Sequence, residues 1–114
     1  MLATNKATKI RGILIDSFNR EVRDVELAPE LEDYYELLKC DCVTIAFYTE
    51  DDRNFAFVDD EGLLKNPTHF FYCPAFYPEP LAGNALILGN NSEGDTINAS
   101  LRVDELKKKV EFFN

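Results

Sequence analysis

The chain has 114 residues, which fits one domain and leaves no room for two independently folding cores. Hydrophobic residues make up 46% and charged residues 29%, near the globular average, so neither disorder nor a membrane-embedded protein is expected. With 21 acidic against 12 basic side chains the formal net charge is −9, a surface that repels phosphate backbones and disfavours general nucleic-acid binding.

Residues 1–8 read as a polar leader. The stretch from Met1 to Arg11 carries Lys6, Lys9 and Arg11 but no apolar run of secretory length, so the expected location is cytoplasmic. Lys9 to Asp16 reads as a buried strand around Ile10, Ile13, Leu14 and Ile15. The turn residues Asp16 to Arg20 then lead into a second extended segment, Glu21 to Leu27, which completes a hairpin. Over 29–39, Pro29 suits a first helical position, Glu30, Glu32 and Asp33 suit the first turn, and Leu31, Tyr34, Tyr35 and Leu38 share one face. That predicts a helix with an acidic outer face.

Cys42 to Thr49 and Asn54 to Val58 predict a second hairpin, closed by the polar loop Glu50 to Arg53. Thr68 to Cys73 reads as a strand, after which Pro74, Pro78 and Pro80 force a loop that contains Phe76 and Tyr77. Asn84 to Leu88 is a short apolar strand. Val103, Leu106 and Val110 then follow helical spacing, and Val110 to Phe113 ends as a strand. The order predicts a single α+β domain: a mostly antiparallel sheet of five to six strands, one full helix and one short C-terminal helix, with the helices on one face.

Pairing the second hairpin about Asp51 places residues whose numbers sum to about 102 opposite one another. Asp41 then faces Glu61, and Asp41, Asp59, Asp60 and Glu61 gather at one end. Glu50, Asp51 and Asp52 lie about 17 Å away at the other. Four carboxylates suit a hard cation, although the spacing is not that of an EF-hand, and capping of the Gly62–Leu64 segment by Asp59 or Asp60 is the simpler reading. Cys40, Cys42, His69 and Cys73 form a possible Cys3His zinc set with unusual spacing. The odd number of cysteines predicts reduced thiols, which commonly behave as small buried hydrophobes. His69 with a cysteine is a conceivable base and nucleophile, but no orienting group or oxyanion loop accompanies them. The five glycines form neither a phosphate loop nor a dinucleotide fingerprint, so no cofactor is expected.

Four stretches together resemble a family of small phage, plasmid and conjugative-element proteins, catalogued as domain of unknown function number 3846. They are Ile15-Asp16, Leu31 to Asp41, Asp59-Asp60-Glu61-Gly62-Leu63-Leu64-Lys65-Asn66-Pro67, and Leu81 to Gly89. The acidic Asp59 to Lys65 segment is the most specific of these. The resemblance covers Lys9 to about Gly94 and leaves out the last twenty or so residues. It implies a setting in mobile elements, where small acidic proteins often disarm host immunity by stoichiometric binding.

The leading expectation is therefore a non-enzymatic counter-defence inhibitor that occludes a basic host protein surface. Glu32, Glu36, Asp51 and Asp52 would steer association, and Phe76 and Tyr77 would anchor it. The alternative is a sponge for a nucleotide-type immune signal, bound in a pocket between protomers, with Arg20, Arg23, Arg53 or Lys65 on its phosphates. A third reading, an enzyme or metalloprotein, would use His69, a cysteine or the Asp41/Asp59/Asp60/Glu61 group.

Overall fold

The computed structural model describes residues 9–49, 51 and 53–113. Five antiparallel strands form the body of the fold: β1 (Ile10–Asp16), β2 (Glu21–Leu27), β3 (Val43–Tyr48), β4 (Asn54–Asp59) and β7 (Ala85–Asn90), in the order β2-β1-β7-β4-β3. A short sixth strand, β8 (Thr96–Ile97), pairs with the far end of β7. Three more short strands, β5 (Phe70–Tyr72), β6 (Leu81–Ala82) and β9 (Glu111–Phe113), make a separate sheet in the order β6-β5-β9. The main sheet has the expected strand count; the second sheet was not anticipated.

Alternation along the strands divides the core in two. Ile13, Ile15, Val22, Ala56, Val58, Ala85 and Ile87 face one layer, and Leu14, Leu27, Phe55, Leu86 and Leu88 face the other. Strand β7 is central, and Ala85 to Leu88 are all fully buried, so both faces of the sheet need a cover. Helix α1 (Leu31–Leu38) covers the Leu14/Leu86 side through Tyr34 and Leu38. The small sheet and α2 (Val103–Lys107) cover the Ile13/Ile87 side through Phe71, Cys73 and Leu106. The two helices thus lie on opposite faces, which corrects the expectation of one. Each fully buried Leu or Ile contributes about 1.5–3 kcal/mol, so neither face of β7 can be left to water.

Helix α1 begins one turn-residue later than expected. Glu30 is extended, and the Asp33 carboxylate accepts the Ala28 N–H at 2.9 Å, closing the N-terminus. At the other end Lys39 adopts the left-handed conformation with φ 56°.

Polar clamps tie the C-terminal segment to the sheet. The fully buried Asn54 side chain donates to Ser100 Oγ at 2.8 Å and accepts the Ser100 N–H at 2.9 Å. The Arg11 guanidinium donates to the carbonyls of Ala99 and Leu101, each at 2.7 Å. Gly89 is required here, because a Cβ would sit 2.1 Å from the Asn98 carbonyl oxygen. No described helix is long and apolar enough to cross a membrane.

Candidate functional site

The second hairpin adopts the inferred register. Val43, Thr44 and Ile45 pair with Asp59, Val58 and Phe57, and a bulge at Ala46 shifts the remainder by one residue. Its two acidic ends do different things. Asp51 accepts the Thr49 hydroxyl at 2.6 Å and the Arg53 N–H at 3.0 Å, and these bonds hold its carboxyl below the usual range; it is a turn residue. Asp52 and Glu50 lie outside the described residues. At the other end Asp59 accepts the Glu61 N–H at 2.9 Å and pairs with Lys65 at 2.8 Å, beside the 3-10 helix Gly62–Lys65, whose N-terminus carries no side-chain cap.

The proposed ligand sets do not converge. Cys40 is buried in the α1 layer and Cys73 in the opposite layer, while Cys42 is exposed. Burial raises the pKa of both Cys40 and Cys73, as expected of apolar packing. The His69 ring meets Thr68 Oγ1 at 2.8 Å, not a cysteine. Among the described residues no group of three or more His, Cys, Asp and Glu side chains could hold a metal ion.

The four candidate cations are also dispersed. Arg23 is bound to Asp16 at 2.9 Å and to Glu21 at 3.0 Å, inside the turn of the first hairpin. Asp16 is buried; that burial would raise its pKa, but hydrogen bonds from Asn19 and Arg23 outweigh it and hold the carboxyl below the usual range. Arg20 lies beside Arg23 in a shallow depression with Lys107 and Phe112. Arg53 precedes β4 and Asp59, the partner of Lys65, ends it, about 20 Å along the strand.

Nor do the described partner-binding candidates share a surface. Glu32 and Glu36 are exposed on α1, on one side of the sheet. Phe76 and Tyr77 are half-buried on the other side, where both rings pack on Phe47, with centroids 5.6 and 6.4 Å away. Lys109 Nζ stands 5.7 Å from the Phe76 centroid. The aromatic loop therefore covers the edge of the core.

What the structure exposes instead is Leu63 and Leu64, at 74% and 82%, on the 3-10 helix. Together with Ile45, 41% exposed on the outer edge of β3, and with Tyr77, they line one shallow groove of about 270 Å³. Among the described residues β3 has β4 on one side and no strand on the other. Asp59 and Asp60 line the same groove, and Glu61, which follows them in the chain, is exposed. The signal in the sequence was two adjacent leucines between Gly62 and Lys65-Asn66-Pro67, a segment too short to bury both.

The family model for the domain of unknown function DUF3846 matches residues 10–111. The chain belongs to this family. The match runs through α2 and into β9, so the DUF3846 unit includes the C-terminal segment that the residue-level resemblance left out, and the Asn54 and Arg11 clamps show how that segment is built into the fold. No curated protein and no solved structure matches the chain.

Proposed function

We propose that the chain is a stoichiometric binding protein that occludes a basic surface of a host protein, in keeping with a mobile-element counter-defence role. The observation that carries this reading is the exposure of Leu63 and Leu64 beside Ile45, in a groove also lined by Asp59 and Asp60. Apolar side chains at the centre with charge at the rim are the usual anatomy of a specific interface, and they match a partner that brings apolar contacts inside a cationic border. The net charge of −9 adds long-range attraction to such a partner and excludes acidic ones. The open edge of β3 offers backbone hydrogen bonds to the same partner.

In this version the anchors are Leu63, Leu64 and Ile45, with Tyr77 at the rim, and Glu32 and Glu36 act only at a distance. The test is affinity purification from a bacterial host with three full-length chains: wild type, Leu63→Asp/Leu64→Asp, and Glu32→Lys/Glu36→Lys. A basic protein recovered at a fixed ratio with wild type, lost with the leucine variant and retained at reduced salt sensitivity with the charge reversal, supports occlusion. Recovery that is equal in all three variants would sink it.

A further inference from the structure

A second concavity opens beside the leucine groove, with Asp59, Gly62 and Ala82 common to both. The β1–β2 turn supplies Phe18, the end of α1 supplies Lys39, the 3-10 helix supplies Lys65, the approach to β5 supplies Thr68 and His69, and the approach to β7 supplies Asn84. Its volume is about 300 Å³, at the small end of the range for ligand clefts.

Its charge is opposite to that of the whole molecule. Two lysines against one aspartate leave the lining positive by one charge, in a chain of net −9. Asp59 is already engaged by Lys65, and Lys39 holds no ion pair among the described residues. The lining also offers aromatic surface. Phe18 is 58% exposed, an unusual state for that side chain, and its ring lies 4.6 Å from that of His69. Thr68 engages His69 Nδ1, which fixes one nitrogen of the ring. Lys39, Asn66 and Gly83, all in this lining, are three of the five described residues with positive φ. Lys39 and Asn66 take this conformation as the residues that end α1 and the 3-10 helix.

We propose that this cavity binds a small anion carrying a flat ring, a ligand on the scale of a nucleoside monophosphate. Lys39 and Lys65 meet its charge, and Phe18 with His69 meets its ring. The negative pole of α1 adjoins the cavity because the helix ends at Leu38, so charge alone is a weak attraction here. Ring contact must act with it, which makes the two parts separable by experiment. The inference rests on this cavity and not on the leucine groove.

The probes are the four nucleoside 5′-monophosphates, with inorganic phosphate and adenosine as partial ligands. Binding is followed by calorimetry and by the imidazole NMR signals of His69, the chain's single histidine. At least one monophosphate should bind and shift the His69 signals, at least tenfold tighter than inorganic phosphate or adenosine. Phe18→Ala and Lys39→Glu should each weaken it about tenfold, the loss of one ring contact or one charge-assisted contact. Both side chains are exposed, so unchanged melting temperatures show that the fold is intact. Leu63→Ser/Leu64→Ser, which removes the apolar pair without adding charge beside Lys65, should bind the monophosphate as wild type does. No shift of His69 with any of the four at millimolar concentration, equal affinity for inorganic phosphate, or undiminished binding by Lys39→Glu would each overturn the proposal.

Discussion

Phe76-Tyr77 and Leu63-Leu64 are both apolar pairs in irregular segments next to glycine or proline, yet they have opposite fates. The aromatic pair lies against Phe47, with Lys109 over Phe76, and the second sheet and α2 stand behind it. The leucine pair sits on one turn of 3-10 helix beside the Asp59–Lys65 ion pair, with most of its apolar surface exposed. What decides exposure is the layer available behind a segment. Aromatic content and proline-rich context say little about it, and for that reason the side chains best suited to anchor a partner are the two leucines.

Substitutions can break this comparison or sharpen it. The largest effect is expected at Asn54, which seats the segment leading to α2 and Lys109. Asn54→Ala leaves a cavity and strips Ser100 of two partners, so it should cost about 3 kcal/mol by denaturant unfolding. Phe76→Ala should cost about 2 kcal/mol, less than a fully buried phenylalanine because the side chain is only partly buried. A cost below about 0.5 kcal/mol would show that the aromatic loop is as dispensable to the fold as the leucines, and the contrast would fail.

Asp16→Asn should cost about 1–2 kcal/mol at neutral pH, through the bonds from Asn19 and Arg23. Since the folded Asp16 pKa is depressed, its stabilisation is fully present above the unfolded value near 3.8 and is lost as pH falls through the folded one. Melting temperatures of wild type and Asp16→Asn should therefore differ at neutral pH and converge below about pH 3.8. The smallest effect on folding belongs to Leu63→Asp/Leu64→Asp, within about 0.5 kcal/mol of wild type, although this variant should lose the partner entirely.

Much of the fold was legible because it is local. The hairpin register followed from the turn at Asp51, and only the bulge at Ala46 displaced it. Strand β2 was placed at Glu21 to Leu27, and the acidic face of α1 followed from helical spacing. The layers were not legible, since the run Ala85 to Leu88 announces a strand buried on both faces without saying what covers each. The site was read less well than the fold. Arg23 is taken up by Asp16, and Phe76, which by sequence could equally anchor a partner or cover the sheet, packs on Phe47. Both partners come from other parts of the fold or fold back through a turn, so residue type alone misassigned them.

The most direct test of the docking surface is native mass spectrometry of the full chain recovered from a bacterial lysate, wild type beside Leu63→Asp/Leu64→Asp. Occlusion predicts a fixed-ratio complex with one basic protein for wild type and the bare chain for the variant. The same complex in both spectra, or a wild-type chain carrying no protein partner, would contradict it.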